Sequence, residues 1–236
     1  MANPYFKFKS FTIEQKSCAM KVTTDACVFG AWVASLLPDC KQILDIGGGT
    51  GLLSLMLAQK NNAAITSIEI EVDCFHQLQE NIQQSIFSDR IKAVHGNILE
   101  YNTDLKFDAI VTNPPFHEQQ LKSGNKSINQ ARHEDSLLLP DLFKKAAELI
   151  KENGSFFVLL PSYRNDESML LAKKFGFHPK QITKVHQSHN HKAFRMMYCF
   201  ERKYENTNED QLTITNSDGS YTEAFTALLK EYYLYL

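Results

Sequence analysis

The sequence lacks the features of secreted, membrane-spanning and disulfide-stabilised proteins. Its five cysteines are odd in number and include no Cys-x-x-Cys pair, which predicts reduced thiols in a cytoplasm rather than a disulfide framework. The amino terminus has no apolar signal core, and no apolar run approaches the length that spans a membrane. We therefore expect a cytoplasmic protein without a membrane partner.

The chain also lacks a strong net charge, since its formal charge is only −2. Any nucleic acid would have to be held by a local basic patch rather than by the whole surface. His186, His189 and His191 lie close together in sequence, but they have no cysteine partner and match no zinc-binding spacing. We therefore predict no metal site.

What the chain does have is enough apolar residues for one sizeable α/β core. Of its 236 residues 43% are hydrophobic, and no linker divides the middle. We predict a single domain over 1–236, with an N-terminal strand or hairpin and a helix in 1–40, the core in 41–202, and a linker with a last helix in 203–236. The apolar runs predict a seven-stranded, mostly parallel sheet with an antiparallel last strand and helices on both faces.

The tetrapeptide Asn113-Pro114-Pro115-Phe116 ends the apolar run 107–111, which reads as a buried parallel strand. Ligands of doubly wound sheets bind at the carboxyl ends of such strands. Neither proline can donate an N–H group, so the Asn113 side-chain oxygen and the Pro114 carbonyl are free to accept from one planar –NH2 group. Phe116 offers a flat surface on which the ring carrying that amine could stack.

A second set of residues predicts a nucleoside-containing cofactor. Asp45, Gly47, Gly49 and Gly51 follow an apolar strand and precede an apolar helix, where backbone N–H groups can approach a ligand. A dinucleotide fingerprint requires its third glycine at position 52, which is a leucine. Further candidates at the ends of the next two strands are Glu69 for the ribose hydroxyls, Ile70 after it, and Asn97 and Ile98 for the edge and face of an adenine.

Lys21 and Thr24 precede or open the first long helix. Thr24 has the residue type of an N-cap, and Lys21 lies just outside the helix, where we expect it to meet a carboxylate of the cofactor. Towards the carboxyl terminus, 203–219 is polar and is predicted to be the least ordered connection. Ser220 and Glu223 have the spacing of a capping box for the last helix.

Two loops carry basic residues that we expect to contact RNA phosphates. The polar loop 117–136 is long for a compact domain and is predicted to act as a lid and substrate clamp. A predicted hairpin tip joins the last two strands. The candidate RNA-binding residues of these two loops are Lys122, Lys126 and Arg132 in the first and Lys192 and Arg195 in the second.

Together these motifs resemble the class I S-adenosylmethionine-dependent methyltransferases that act on amino nitrogens. The pairing of Asp45-x-Gly47-x-Gly49 with Asn-Pro-Pro-Phe after the fourth strand carries this resemblance. Over essentially the whole chain the sequence resembles the bacterial family that methylates N6 of adenine 37, immediately 3′ of the anticodon, in a valine tRNA. The motifs that narrow it are Phe8-Lys9-x-Phe11, Met20-Lys21-Val22-x-Thr24-Asp25-Ala26, Ala131-Arg132-His133-Glu134 and Tyr221-Thr222-x-x-Phe225.

The resemblance implies a Rossmann-like fold, S-adenosylmethionine as cofactor and the anticodon stem-loop of a tRNA as partner. Asn97 departs from it, because many relatives carry an aspartate there, but an amide can make the same contact. Three alternatives stay open: a methyltransferase acting on a protein glutamine amide, one acting on an rRNA base, and a cofactor-binding module without catalysis. The oligomeric state is also open, with a monomer as the expectation.

Overall fold

The computed structural model describes residues 3–18, 20–37, 39–115, 137–203 and 205–236. The strands are β1 (Tyr5–Lys7), β2 (Thr12–Glu14), β3 (Gln42–Ile46), β4 (Ala64–Glu69), β5 (Ile91–His95), β6 (Phe107–Thr112), β7 (Ile150–Pro161), β8 (His178–Ser188), β9 (Ala193–Glu201) and β10 (Asn208–Thr215). The helices are α1 (Thr24–Leu36), α2 (Leu52–Lys60), α3 (Val72–Gln83), α4 (Leu139–Leu149), α5 (Asn165–Lys174) and α6 (Glu223–Leu229), with short 3-10 turns at Ile98–Glu100 and Ser162–Arg164.

In the described ranges, eight strands form one mixed sheet in the order β10-β8-β9-β7-β6-β3-β4-β5. Strand β9 is antiparallel to both of its neighbours, β7 and β8, while the other pairs in the sheet are parallel. The predicted α/β class, all seven predicted strands and the antiparallel orientation of the seventh, β9, are confirmed. The strand count was wrong, because β10 adds a parallel edge strand beyond β8.

Apolar layers cover both faces of this sheet. Strand β6 shows why, since Val111 and Ala109 pack into one layer while Ile110 and Phe107 pack into the other, all at most 1% exposed. A parallel strand that is buried on both sides is expected to be mostly apolar, and of the six residues of β6 only Asp108 and Thr112 are polar. Helices α1, α2, α3 and α6 contribute to the first layer, and α4 and α5 contribute to the second.

The carboxyl-terminal region differs from the prediction. The polar segment 203–219 contains β10, in which Leu212 and Ile214 point into the core while the residues between and after them are half-buried. Two apolar residues in alternation, paired with β8, are enough to hold a strand in an otherwise polar stretch. The cap of α6 is Thr222, whose hydroxyl accepts from the Phe225 N–H at 3.2 Å, and not Ser220, which bonds to Asp218.

The predicted N-terminal hairpin is present as β1 and β2, which pair antiparallel from Tyr5 with Glu14 to Lys7 with Thr12. The cap of the following helix differs by one residue, since Thr23 is the N-cap of α1 and Thr24 is its first helical residue. Thr24 could not be distinguished from its identical neighbour by residue type alone. No helix within the described ranges is both long and apolar enough to cross a membrane.

Candidate functional site

The carboxyl ends of β3, β4, β5 and β6 bring most of the predicted site residues to one edge of the sheet. Ile46, at the end of β3, is level with Ile68 of β4 and with Thr112 of β6. The glycine loop, Glu69 and Asn113 therefore leave the sheet side by side. This is where a doubly wound fold binds its ligand.

The glycine loop approaches β4 through its own backbone. The N–H groups of Gly47 and Gly48 both donate to the Ile68 carbonyl, at 2.9 and 3.0 Å. Gly47 has a φ of +74°, and a Cβ built on it would meet no atom within 4 Å, so its outer side is open. Gly48, which was not predicted, has the opposite surroundings, because a Cβ there would lie 2.2 Å from the Ser67 hydroxyl.

Glu69 ties the end of β4 to this loop. Its Oε2 accepts from the Gly49 N–H at 2.7 Å, and its Oε1 accepts from the Glu71 N–H at 2.9 Å. The residue is only 7% exposed, while the following Ile70 is 45% exposed beside it. A carboxylate held by two N–H groups at this edge keeps further lone pairs for ligand hydroxyl groups.

Asp45 lies beneath the loop rather than on its open side. The side chain is fully buried, and its Oδ2 accepts from the hydroxyls of Ser54 at 2.6 Å and Ser67 at 3.2 Å. Its Oδ1 has no hydrogen-bond partner among the described residues. Burial raises the pKa of Asp45 to about 6, and the charge of Glu69 adds a smaller increase. The hydrogen bonds from Ser54 and Ser67 oppose this rise by lowering the pKa.

Asn97 and Ile98 stand where β5 leaves the sheet. The Asn97 Oδ1 caps the 3-10 turn by accepting from the Leu99 N–H at 2.9 Å, so its Nδ2 remains available to face a ligand. Ile98 is 5% exposed and packs in the second apolar layer with Ile68. A cleft of about 240 Å³ adjoins this turn and is lined by residues that include Ile68, Gly96, Asn97 and Tyr101.

Lys21 organises the chain ahead of α1. Its Nζ donates to the carbonyl oxygens of Gln15 and Cys18, the latter at 2.8 Å. The amine thus ties the chain just before α1 back to Gln15 and Cys18, and its role towards a cofactor stays a prediction. Thr24, the first residue of α1, is exposed and caps nothing.

Asn113 is the first residue after β6, and Pro114 behind it is buried while Pro115 is exposed. The strand end is anchored by the Thr112 hydroxyl, which donates to the Ile46 carbonyl at 2.9 Å. Among the described residues, no group donates to the buried Asn113 Oδ1. A buried amide oxygen without a donor is costly unless a ligand supplies one. Phe116 lies outside the described residues.

The basic residues predicted to bind RNA fall into three groups. Lys192 is exposed at the tip between β8 and β9. Arg195 is instead engaged within the protein, because its Nε lies 2.8 Å from the Asp25 Oδ2 and both side chains are mostly buried. The remaining three, Lys122, Lys126 and Arg132, and the loop 117–136 that carries them lie outside the described residues.

Polar residues on the inner face of α3 connect the N-terminal hairpin to the site, and sequence reasoning missed them. Asn81 is 1% exposed; its Oδ1 accepts from the Glu14 N–H, and its Nδ2 donates to the carbonyls of Glu14 and Thr50. The hairpin and the glycine loop are thereby joined through one side chain. The signal in the sequence is an asparagine at an inward position of an amphipathic helix, next to Ile82.

The histidines of the hairpin are used locally. The His186 Nδ1 lies 2.9 Å from the His191 carbonyl, and the His191 Nδ1 lies 2.7 Å from the Ser188 hydroxyl. In the part of the chain that the structure describes, no group of three or more His, Cys, Asp or Glu side chains could hold a metal ion.

Comparison with known proteins agrees with this geometry. Residues 31–192 match the family model described as a methyltransferase small domain. A protein from Dyadobacter fermentans named tRNA1(Val) (adenine(37)-N6)-methyltransferase is 42% identical, with 98% of each chain covered. Proteins of the same name from Phocaeicola vulgatus and Escherichia coli O1:K1 are 38% and 37% identical, covering 99% and 98% of this chain and 99% and 95% of their own.

The chain belongs to the tRNA1(Val) (adenine(37)-N6)-methyltransferase family. The predicted family is thereby confirmed. Solved structures support the fold of this family member: an Agrobacterium tumefaciens protein described as a predicted O-methyltransferase has a TM-score of 0.69 at 16% identity, covering 87% of this chain and 95% of its own. A glycopeptide N-methyltransferase solved with S-adenosylmethionine has a TM-score of 0.57 at 11% identity, covering 75% and 87%.

The residues of this methyltransferase fit S-adenosylmethionine. The open side of Gly47 leaves room for the ligand beside the loop, and the Glu69 carboxylate stands next to it. At the other end of this edge, the buried Asn113 Oδ1 requires a donor that the described residues do not provide. We therefore propose a cofactor half of the site around Gly47 and Glu69 and an amine-accepting half at Asn113.

Proposed function

We propose that this chain methylates N6 of adenine 37 in a valine tRNA, using S-adenosylmethionine. The observation that carries the proposal is the buried, unpartnered Asn113 Oδ1 in an Asn-Pro-Pro segment at the ligand edge. An exocyclic amine supplies the N–H donors that this oxygen and the Pro114 carbonyl can accept. Full-length relatives named for this reaction support the choice of adenine over other amines.

The cofactor supplies an electrophilic methyl group on a sulfonium, and S-adenosylmethionine agrees with the family and the fold. In this chain the residues that would hold it are Gly47, Gly49, Gly51, Glu69, Ile70, Asn97 and Ile98. The other predicted cofactor residues are Lys21, which lies between β2 and α1, Thr24, which is the first residue of α1, and Asp45, which lies beneath the glycine loop.

The protein's contribution to the chemistry is to orient a weak nucleophile. The lone pair of an adenine amine is delocalised into the ring, so the amine attacks poorly in its planar form. Acceptance of its two N–H groups by Asn113 and Pro114 favours a pyramidal nitrogen whose lone pair is directed at the methyl group. Orientation of this kind can provide several kcal/mol of the acceleration. The product ammonium is acidic and loses its proton to water, so no general base is needed beforehand.

The target adenine has to leave its stack to reach Asn113. Unstacking costs a few kcal/mol, and less in a loop than in a duplex, which favours an anticodon loop as substrate. A tRNA substrate would also agree with the cytoplasmic location predicted from the cysteines. Phosphate contacts by the exposed Lys192 would position the RNA without reading its sequence.

The test is methyl transfer to valine tRNA transcripts, followed by mass spectrometry of the nucleosides. We expect N6-methyladenosine with adenine at position 37 and none when that position is guanine. Asn113→Ala should lower kcat about 100-fold while the affinity for S-adenosylmethionine stays within twofold, because the lost acceptor contacts the amine and not the cofactor. Methylation of a glutamine-containing peptide or an rRNA fragment in place of tRNA would refute the proposal.

A further inference from the structure

Tyr163 is a strongly exposed aromatic residue close to the amine-accepting site. It lies in the 3-10 turn Ser162–Arg164, directly after Pro161 ends β7, and it is 68% exposed. Among the described residues, none makes a ring contact with Tyr163 or a hydrogen bond with its hydroxyl. Single exposed apolar side chains are common, so the position of this ring matters more than its exposure.

The sheet register places Tyr163 beside Asn113. Strands β6 and β7 are adjacent and parallel, and Thr112 is level with Val158. Both strands therefore point to the same edge of the sheet, and β7 continues three residues beyond the level at which β6 ends. The chain reaches Tyr163 two residues after Pro161, so Tyr163 follows the strand next to Asn113 and lies further out along the same direction.

The 3-10 turn that contains Tyr163 also packs against β9, the strand that follows the exposed Lys192. Pro161 is paired with Arg195 of β9, and the 3-10 turn packs against β9. Lys192 is exposed one residue before β9 begins. In the strand order β6-β7-β9, Tyr163 therefore lies between Asn113, the proposed acceptor for adenine, and Lys192, a cation suited to a phosphate group.

We propose that Tyr163 stacks on the nucleotide next to the methylated adenine in the anticodon loop, an inference that rests on the proposed function. When one base is withdrawn into the pocket, its neighbour loses a stacking partner. An exposed aromatic ring beside the opening replaces that partner, and it does so without reading the base, because every base has a π-face. Tyr163 is thus a residue that positions the RNA and does not contact the reacting atoms.

The variants Tyr163→Ala and Tyr163→Phe separate stacking from a contact by the hydroxyl. Stacking of one base corresponds to a roughly 5- to 100-fold effect on affinity. Tyr163→Ala should raise KM for tRNA by such a factor, with kcat at saturating tRNA and the affinity for S-adenosylmethionine within twofold of the wild type. Tyr163→Phe should behave like the wild type, since it keeps the ring.

Tyr235→Ala is the matched control. Tyr235 is 89% exposed. It lies four residues after Glu231, whose carbonyl accepts from Gln59 in the last turn of α2, away from the carboxyl ends of the strands. Its loss should leave KM for tRNA unchanged. If the melting temperature of Tyr163→Ala is lower than that of the wild type, Tyr163→Leu replaces it in these measurements, because leucine keeps side-chain bulk without the aromatic face.

A second measurement reports stacking directly. The nucleotide beside the target adenine is replaced by 2-aminopurine, whose fluorescence falls on stacking. The complex with Tyr163→Ala should be brighter than the complexes with wild type and Tyr163→Phe. If wild type methylates adenine 37 but Tyr163→Ala has wild-type KM and fluorescence, or if Tyr163→Phe is as impaired as alanine, the stacking role is wrong while the proposed function stands. If wild type methylates no tRNA, the proposed function itself fails.

Discussion

The buried carboxyl group of Asp45 should make the protein less stable as the pH rises from about 4.5 to 7. Burial raises its pKa from 3.8 to about 6 in the folded protein. In this range the folded state keeps a proton that the unfolded chain has released, so the free energy of unfolding falls with rising pH. A pKa raised from 3.8 to about 6 corresponds to ~3 kcal/mol, lost in full above about pH 7.

Asp45→Asn removes the titration and keeps the shape of the side chain. The asparagine can still accept from Ser54 and Ser67, but its amide N–H groups have no acceptor in place of the unpaired Oδ1, which adds a cost that does not depend on pH. The informative quantity is therefore the difference between the unfolding free energies of wild type and Asp45→Asn. It should shift against the wild type by ~2 kcal/mol between pH 4.5 and 7.5, because part of the ~3 kcal/mol is already lost at pH 4.5.

Urea denaturation at several pH values measures this difference, and Asp108→Asn is the control. Although partial burial opposes it, hydrogen bonds from Lys151 and from the N–H groups of Gln42 and Lys41 lower the pKa of Asp108. Stability from Asp108 is present above its unfolded pKa and is lost only as the pH falls through the folded value, so its difference should stay constant from pH 5 to 7.5. Parallel pH curves for wild type and Asp45→Asn would refute the reasoning.

Three further predictions concern the cofactor and the basic residues. Glu69→Ala should weaken S-adenosylmethionine binding at least about tenfold in calorimetry, because it removes the carboxylate that accepts from the Gly49 N–H and that we propose to bind the ribose hydroxyls. The affinity of Glu69→Gln should lie between those of Glu69→Ala and wild type. Unchanged affinity in Glu69→Ala would contradict this assignment. Lys192→Ala should lower the slope of log tRNA affinity against log salt by about 0.7 to 0.9. Arg195→Ala should instead show coupling of more than about 1 kcal/mol with Asp25→Ala in a double-mutant cycle of unfolding, and an additive cycle would mean that the ion pair does not hold α1 to β9.

Local sequence features were sufficient to predict the structure of those segments whose conformation depends mainly on their own residues. Strand β6 is mostly apolar and is followed by Asn113 and paired prolines, so both its burial on two faces and its termination before Asn113 follow from residue type. The glycines at 47, 49 and 51 have positive φ, a conformation that glycine adopts without strain. The family was also recognisable, because each of its motifs is a short continuous segment, although the motifs are spread from Phe8 to Phe225.

Contacts between residues that are distant in sequence were determined only by the tertiary structure. Asp45 was predicted from the glycine motif, but whether it faces the ligand or lies beneath the loop depends on Ser54 and Ser67, which come from α2 and β4. Arg195 has the residue type that binds phosphate groups, yet its Nε donates to Asp25, which lies 170 positions earlier in the chain. Strand β10 forms because β8 offers an unpaired edge to a segment with two apolar residues. Partners so far apart in sequence leave no local pattern, since the free energy of each contact depends on the neighbour that folding brings to it.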